Sequence, residues 1–271
     1  MFMPESKVVL ITGASSGFGK ETAGLLADRG FRVYGTSRNP SVVAMRAGQR
    51  VLLLNVDSDE SVDACVKQLL EEAGRLDVLV NNAGYVLTGG VEETSVEEAK
   101  AQFETIFFGA VRMVKAVLPT MRKQGSGQII NISSIAAKLP VPFEPYYAAG
   151  KAALLTWSEA LRYEVKNFGI KVSVLEPGFF RTNLGYVMQG AKNTIGDYDR
   201  MRKLARSALD DDFQKGRDPK IVAETILRII ESKTPKLEYV VGKEKRYLTI
   251  RGLVPRSTFE GVARKHWKLD E

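Results

Sequence analysis

Thr12-Gly13-Ala14-Ser15-Ser16-Gly17-Phe18-Gly19-Lys20 is the stretch of this sequence that decides the fold. It follows directly on a short apolar run, and a helical pattern begins at Gly17. Three glycines permit a tight turn between strand and helix, and the first N–H groups of that helix can bind a pyrophosphate. The stretch therefore predicts the dinucleotide-binding turn of a Rossmann-type fold, with these residues facing the nucleotide: Gly13, Ser15, Ser16, Gly17, Phe18 and Gly19.

A phosphate-binding P-loop does not fit the same residues. Glu21 follows Gly19-Lys20 where a serine or threonine should hold magnesium, and Ala14 stands where the first glycine should be. The turn is therefore assigned to a dinucleotide and not to a nucleoside triphosphate.

The rest of the chain repeats the order of strand, then helix. Short apolar runs, typical of strands buried on both faces, alternate with longer helical stretches. Repeated βα units predict an α/β fold, a doubly wound parallel sheet of about seven strands in a single domain spanning residues 1–271. The expected strands are 7–12, 32–36, 50–55, 76–81, 128–133, 171–176 and 237–241. The expected helices are 17–29, 59–73, 96–123, 145–167 and 219–232.

Two segments interrupt this order. Residues 183–216 follow a strand and have weak periodicity, which predicts a segment that covers the substrate; an ordinary surface excursion is the alternative. Residues 243–271 form a basic extension with interspersed apolar residues. A solvated closing segment is expected there, and contact with a membrane, binding of a partner subunit and closure of the substrate cleft remain alternatives.

Composition narrows the classes of function. The chain has 271 residues, 44% of them apolar, and a formal net charge of +7. No stretch reaches the roughly 20 apolar residues that cross a bilayer, and the first residues carry no secretory signal. A cytoplasmic protein is therefore expected. The basic residues are spread along the chain without interleaved aromatic residues, which disfavours nucleic acid as a partner.

Cysteine and histidine occur once each. Cys65 alone cannot form an internal disulfide or a thiolate metal site. His266 lies close to the end of the sequence, which disfavours Ser-His-Asp hydrolysis and histidine-ligated metals in the body of the chain. No metal site is expected.

The second strand ends in Thr36-Ser37-Arg38. An acidic residue at this position would bind the free ribose 2′-hydroxyl of NAD. The hydroxyl of Ser37 and the guanidinium of Arg38 suit a 2′-phosphate instead, through charge-assisted hydrogen bonds. The sequence therefore favours NADP(H) as the cofactor over NAD(H).

Tyr147 and Lys151 are four residues apart in a predicted helix, so both side chains project from one face. A nearby cation stabilises a phenolate, and we expect Lys151 to lower the Tyr147 pKa enough for acid and base catalysis. Ser133 and Ser134 end the preceding strand and are expected at the edge of the cleft. The three side chains, Ser134, Tyr147 and Lys151, are the candidate catalytic residues.

Together these motifs resemble the short-chain dehydrogenase/reductase family. They occur in the family's order: Thr-Gly-x-x-x-Gly-x-Gly at 12–19, Asn-Asn-Ala-Gly at 81–84, a strand-end serine, Tyr-x-x-x-Lys and Pro177-Gly178. The likeness covers about residues 6 to 185. The remaining residues are similar to the family only in general layout.

The resemblance implies a role for each matching residue. Ser134 would hydrogen-bond the substrate oxygen, while its neighbour Ser133 would be structural. Tyr147 would donate or remove the proton, and Lys151 would lower the Tyr147 pKa and hold the nicotinamide ribose. Asn55 and Val56 match the pair beside adenine, although the family commonly has aspartate where this chain has Asn55. The other residues implied to line the cofactor are Asn81, Ala83, Gly84, Pro177, Gly178, Phe180 and Thr182.

One residue departs from the family pattern. In Phe103-Glu104-Thr105-Ile106-Phe107-Phe108-Gly109, an asparagine normally occupies the position of Ile106. In the family that asparagine supports a water linked to the lysine, and isoleucine cannot form a hydrogen bond. Either the proton follows another route in this protein, or turnover is reduced.

The resemblance implies reversible hydride transfer between NADP(H) and a carbonyl or secondary alcohol. Aromatic and apolar residues near the expected cleft, among them Phe143, Phe179, Tyr186 and Met188, favour an apolar substrate such as a steroid- or retinoid-like ketone. A homodimer or homotetramer built on the helices starting near Val96 and Pro145 is also implied. Two alternatives stay open: a catalytically impaired NADP(H)-binding regulator, and an epimerase that keeps its nicotinamide bound.

Overall fold

Seven parallel strands form the central sheet of this computed structural model, which describes residues 6–43, 48–181 and 188–270. In chain order the strands are β1 (Val8–Ile11), β2 (Arg32–Ser37), β3 (Gln49–Leu53), β4 (Val78–Asn81), β6 (Gly127–Ile132), β7 (Ile170–Pro177) and β9 (Glu238–Val241). Their order across the sheet is β3-β2-β1-β4-β6-β7-β9, and every neighbouring pair is parallel. The remaining strands, β5 (Val86–Thr88) and β8 (Met188–Gly190), form a separate parallel pair.

Helices cover both faces of the sheet. They are α1 (Gly17–Asp28), α2 (Asp59–Ala73), α3 (Val96–Phe103), α4 (Gly109–Gln124), α5 (Pro145–Val165), α6 (Asp199–Gln214), α7 (Lys220–Glu231), α8 (Lys245–Leu253) and α9 (Arg256–His266). On one face, residues of α2, α4 and α5 pack with Leu10, Leu79 and Ile129 of the sheet. On the other face, α1 and α7 pack with Val9, Val80 and Ile130. Alternate residues of one strand thus enter opposite cores, which explains the continuous apolar runs.

The predicted fold class is confirmed, because the described residues contain the expected doubly wound sheet of seven parallel strands. The strand order reverses between β1 and β4. At such a point the connections leave in opposite directions, and a crevice opens beyond the carboxyl ends of the strands. This edge of the sheet is where the candidate site is expected.

The helix expected over residues 96–123 is interrupted. Between α3 and α4 the chain forms a π-helical turn, Glu104–Phe108, in which the Gly109 N–H donates to the Glu104 carbonyl. An apolar pattern does not reveal a turn that is one residue wider, and such turns are often found at functional sites.

The two interrupting segments contain more regular structure than their sequences predict. Residues 188–216 include β8 and α6, while 182–187 lie outside the described residues. Within 243–270 the chain forms α8 and α9. Among the helices in the described ranges, none has the length and apolar character needed to cross a membrane.

Candidate active site

Thr12 joins the ends of β1 and β4. Its hydroxyl accepts hydrogen bonds from the Asn82 and Ala83 N–H groups, both at 2.9 Å. The Asn82 amide donates in turn to the Thr12 carbonyl at 2.9 Å and to the Gly13 carbonyl at 3.0 Å. The Asn-Asn-Ala-Gly motif therefore braces the glycine turn from the neighbouring strand.

Two glycines of the turn have no room for a side chain. A Cβ on Gly13, whose φ is +67°, would lie 2.9 Å from the Ala83 Cα. A Cβ on Gly19 would lie 2.4 Å from the Gly13 carbonyl oxygen. These contacts bring the start of α1 against the end of β4, as a bound pyrophosphate requires. The structure thus gives a physical reason for the glycine pattern.

The start of α1 suits an anionic group. Ser16 is the residue before the helix, and its side chain makes no capping hydrogen bond. Ser15 and Ser16 are both exposed, so the first N–H groups of the helix face the crevice edge without a side-chain acceptor from Ser16. Phe18 packs edge-on against the buried ring of Phe180, with 5.6 Å between ring centroids. That contact links the turn to the segment after β7.

The end of β2 presents one exposed cation. Ser37 is buried, and its hydroxyl accepts from the Asn39 N–H and donates to the Asn39 carbonyl, both at 3.1 Å. Arg38 is exposed. Of the two residues expected to bind a 2′-phosphate, Arg38 is therefore the one whose side chain is directed to solvent, while Ser37 shapes the loop.

Asn55 and Val56 lie at the end of β3, beside the crevice. The Asn55 amide oxygen accepts from the Asp57 N–H at 3.2 Å, so the asparagine forms the turn locally. Val56 is buried and leaves no room for a Cβ at Gly109, which would approach its Cγ2 to 2.8 Å. Val56 thus fixes the start of α4.

The side chain of Asn81 points into the protein interior. Its amide donates to the Asn131 side chain at 2.8 Å, and Asn131 donates to the Ser158 hydroxyl at 2.8 Å. Ser158 then donates to the Leu154 carbonyl at 2.6 Å. The amide oxygen of Asn81, a residue only 6% exposed, has no hydrogen-bond partner among the described residues. This chain across β4, β6 and α5 was not predicted, because its members are far apart in sequence.

Ser134, Tyr147 and Lys151 converge at the carboxyl edge of β6. Ser134 begins a short 3₁₀ turn, where its hydroxyl accepts from the Ala136 N–H at 3.1 Å, and it also hydrogen-bonds Tyr147. The Lys151 ammonium donates to the Ile132 carbonyl at 2.7 Å and lies 5.8 Å from the centre of the Tyr147 ring. The Ser133 hydroxyl donates to the Lys151 carbonyl at 2.9 Å, so it fastens β6 to α5.

Burial controls the titration of this cluster. Burial raises the pKa of Tyr147 to about 12, the charge of Glu144 adds to the rise, and the hydrogen bond with Ser134 opposes it. Burial also lowers the pKa of Lys151 to about 8. The expected lowering of the Tyr147 pKa by Lys151 is therefore not found here, where burial is the largest effect on the phenol. A protonated Tyr147 is the state that can donate a proton to a ketone.

Glu144 is a site residue that the sequence did not reveal. It is 4% exposed, precedes the first residue of α5, and lies three residues before Tyr147. Within the part of the chain that the structure describes, its Oε1 has no hydrogen-bond partner. Burial raises its pKa to about 8 against the opposing charge of Arg206. The preceding Phe143 has φ +62°, a conformation that is costly for a residue with a bulky side chain.

Ile106 fills the space between two motifs. It is 2% exposed, and a Cβ on Gly150 or Gly84 would lie 2.5 Å or 3.2 Å from its side-chain carbons. Beside it is a cavity of about 10 Å³, close to the room that one water needs. The cavity is lined in part by Thr12, Asn81, Ile106 and Lys151.

The segment after β7 closes the nucleotide side of the crevice. The Gly178 N–H donates to the Val241 carbonyl at 2.8 Å, and a Cβ on Gly178 would lie 1.9 Å from the carboxylate of Glu244. Pro177 ends β7, and Phe180 is fully buried against Phe18. Thr182 and Tyr186, both named from the sequence, lie outside the described residues.

An apolar cluster that includes Phe179, Phe213, Met188 and Trp267, called the apolar wall below, packs against Tyr147. Phe179 packs edge-on against Phe213 of α6 and Trp267, with ring centroids 5.3 Å and 6.3 Å apart. Met188 and Tyr147 itself pack against the same cluster. The residues 188–216 and the end of the basic extension therefore both contribute to the wall.

A buried carboxylate holds α6 against the β5 loop. Glu93 accepts hydrogen bonds from the Gly90 N–H at 2.8 Å and the Ile195 N–H at 2.9 Å, and it is ion-paired with Arg202. These bonds keep the pKa of Glu93 below its usual value despite the opposing effect of burial. No sequence pattern indicated this tie, because its partners are about a hundred residues apart.

Comparison with known proteins agrees with the fold. The short chain dehydrogenase family model matches residues 7–192. A 3-ketodihydrosphingosine reductase of Bacteroides thetaiotaomicron is 41% identical over 240 residues, which cover 88% of this chain and 88% of that protein. A short-chain dehydrogenase from Streptomyces avermitilis has a similar structure at 34% identity, with a TM-score of 0.84, covering 97% of this chain and 99% of that chain.

Two similar structures were solved with nicotinamide cofactors. A 3-ketoacyl-(acyl-carrier-protein) reductase from Brucella melitensis, complexed with NADH, is 25% identical with a TM-score of 0.74 and covers 88% of this chain and 97% of its own. A serine dehydrogenase complexed with NADP⁺ is 25% identical with a TM-score of 0.76 and covers 88% and 95%. Proteins of this fold therefore bind NAD(H) or NADP(H).

Glu144→Gln should stabilise the protein in a pH-dependent way. Because the folded pKa of about 8 lies above the unfolded value near 4.5, the native state binds more protons between these values, and stability falls as pH rises through that window. The variant should gain about 2 to 4 kcal/mol at pH 8.5 and little at pH 4.5. Thermal melts across that range measure the gain, and Glu164→Gln, on the exposed side of α5, is the control. A constant difference across the pH range would contradict the assignment.

Proposed function

Because the chain belongs to the short-chain dehydrogenase/reductase family, an oxidoreductase family, we propose that it uses NADPH to reduce a ketone on an apolar, long-chain substrate. The observation that carries this proposal is the meeting of Ser134, Tyr147 and Lys151 beside the glycine turn, at the carboxyl edge of the sheet. These are the three groups that carbonyl reduction needs for substrate binding, proton donation and cofactor orientation.

The residues at the crevice fit a dinucleotide. The glycine turn leaves a cradle that a Cβ at Gly13 or Gly19 would fill, and Ser16 leaves the start of α1 free for phosphate. A bound nicotinamide would supply the hydride. Ser134 would hold the substrate oxygen, Tyr147 would donate its hydroxyl proton to that oxygen, and Lys151 would bind the nearby ribose. The half-buried position of Tyr147 limits competing proton transfer from bulk water.

Arg38 supports the choice of NADP(H). Its exposed guanidinium follows directly on β2, and neither Ser37 nor Arg38 can repel a 2′-phosphate as a carboxylate would. The fold alone does not decide the cofactor, because relatives of similar structure hold NADH or NADP⁺. The local charge at this loop is therefore the argument for the phosphorylated cofactor.

The substrate class follows from the wall beside Tyr147. Phe179, Phe213 and Trp267 offer aromatic surface within one cluster, and Met188 joins it. The 3-ketodihydrosphingosine reductase that this chain resembles acts on a long-chain ketone by its name, and the same chemistry fits the wall here. A compact apolar ketone, steroid- or retinoid-like, is the alternative within the same reaction.

Asn81 supports a route for the proton despite Ile106. The unpartnered amide oxygen of Asn81 and the ammonium of Lys151 both belong to residues that line the cavity of about 10 Å³. A water there would have polar neighbours without the family asparagine. This argues for a working enzyme with a slower proton supply. A regulator without turnover is the second candidate, and Ile106 is the observation that favours it.

Arg38→Asp should reverse the cofactor preference. In the parent protein NADPH should bind more tightly than NADH by about 1 to 3 kcal/mol, the range for hydrogen bonds to a charged group. The aspartate should remove that margin or favour NADH through the ribose hydroxyl. Fluorescence titration with both cofactors measures it, and Arg29→Asp, in the turn after α1, controls for net charge. Equal affinities in the parent would end this proposal.

Tyr147→Phe should remove most turnover and leave NADPH binding intact. General acid catalysis typically contributes about 10²- to 10⁴-fold, and the hydroxyl is the only group lost. NADPH oxidation, followed by absorbance with long-chain ketones, measures the rate. Tyr146→Phe is the matched control, because its hydroxyl makes only a 3.4 Å contact with the Val91 carbonyl. Retained activity in the Tyr147 variant would exclude its role as proton donor.

Ile106→Asn should raise turnover if proton supply limits the rate. The amide would enter the lining of the small cavity beside Lys151, at a stability cost of about 1 to 3 kcal/mol if it stays unpaired. Ile106→Val is the control for lost packing, and it should not change turnover. Rates across pH are to be measured beside melting temperatures. A stable asparagine variant with unchanged turnover and pH profile would show that proton supply does not limit the reaction.

A further inference from the structure

Helices α8 and α9 lie on the surface of the protein. Neither helix contains a fully buried residue. They are fastened at one end, where Trp267 is buried in the apolar wall and His266 pairs with Asp212 of α6 at 2.8 Å. Ala263 and Phe259, one and two turns before Trp267, form the inner, half-buried side of α9. The rest of the helix pair is therefore available for contact with something outside the chain.

The outer side of α8 carries exposed apolar residues. Arg246, Thr249, Ile250 and Leu253 are all exposed and follow the spacing of one helix face. Ile250 is 42% exposed, and Leu253, at 79%, is the most exposed large apolar side chain in the described ranges. Together they form a small apolar patch on one helix face, of the kind that can contact a partner or a surface.

Basic residues flank these apolar residues along the chain, and one of them, Arg264, is ion-paired with Asp270 at 2.7 Å. Residues 245–265 contain six basic residues and one acidic residue, Glu260. Leu253 stands between Arg251 and Arg256 at the turn that joins the two helices. The basic side chains are all exposed: Lys245, Arg246, Arg251, Arg256, Arg264 and Lys265.

We propose that this tail surface, Ile250 and Leu253 with the six cations, docks on an anionic lipid bilayer. Cations flanking a few inserted apolar side chains are the composition of segments that lie in a membrane interface, and the charge complements anionic headgroups. A second copy of this chain is less suited, because like charges would face each other. In this arrangement the helix pair lies on the surface of the bilayer and does not span the bilayer.

Docking at this surface would place the candidate cleft at the membrane. Trp267 follows α9 directly and belongs to the apolar wall that includes Tyr147. A long-chain ketone could then pass from the lipid to the wall without crossing water. The passage of substrate from the lipid rests on the proposed function, whereas the docking itself does not. The docking is tested without any measurement of activity.

Cosedimentation of the full chain with vesicles tests the docking. Phosphatidylcholine vesicles are compared with vesicles containing 30% phosphatidylglycerol, and we expect binding to the anionic vesicles that weakens as salt is raised. The double variant Arg251→Gln with Arg256→Gln should lose about 25-fold in partitioning, at about fivefold for each cation. Leu253→Ser should lose about tenfold, because the leucine no longer inserts. Leu53→Ser and Arg50→Gln, exposed on the edge strand β3, are the matched controls and should bind like the parent.

Three results would overturn the proposal. They are equal binding to neutral and anionic vesicles, equal losses in the β3 controls, and a parent dimer that Leu253→Ser converts to a monomer by light scattering. The conversion of a dimer to a monomer would show that the tail surface binds a second copy of this chain. Turnover with a water-soluble ketone is followed in parallel. If the tail variants lose vesicle binding and keep that turnover, docking is supported independently of the reaction. A parent that binds vesicles but reduces neither the water-soluble ketone nor long-chain ketones would refute only the proposed function.

Discussion

The junction between β1 and β4 is the constraint on which the rest of the structure depends. The Thr12 hydroxyl accepts two N–H groups from the end of β4, and Asn82 returns two hydrogen bonds to the glycine turn. The strand order reverses at this junction, so the crevice must open here and nowhere else in the central sheet. The glycines then bring α1 to its edge, and β6 and β7 deliver Ser134 and Pro177 to the same side. Loss of this contact would separate the two halves of the site.

Local patterns in the sequence were sufficient to predict the sheet and the residues that meet at its edge. The glycine turn and the Tyr-x-x-x-Lys spacing act within a few residues, and the short apolar runs report burial on both faces directly. The remainder depends on contacts between distant segments. The pKa of Glu144 is raised because folding removes water from its carboxyl group. The Asn81–Asn131 pair forms because β4 and β6 are neighbours in the sheet. Similarly, the placement of α6 depends on polar ties between distant residues, such as Glu93 with Arg202.

Burial shifts the charged groups of the site toward their neutral forms. The pKa values of Glu144 and Tyr147 are raised, the pKa of Lys151 is lowered, and in each case loss of solvent is the largest cause. Burying these titratable groups lowers the stability of the folded protein, and the rest of the fold offsets that loss. Such shifted pKa values are common at functional sites. The strained φ of Phe143 lies in the same loop as Glu144. The strained backbone and the shifted pKa values thus occur in the same region, where the fold accepts a loss of stability.

The position of Trp267 has a consequence for how the protein is made. Every strand of the central sheet is complete by Val241, and the chain can therefore form its two cores before α9 leaves the ribosome. The apolar wall becomes complete only when Trp267 reaches Phe179. Until then Phe179 lacks its contact with Trp267. The scaffold can therefore form before the aromatic cluster is complete, and a chain cut within α9 would keep the sheet while exposing part of that cluster.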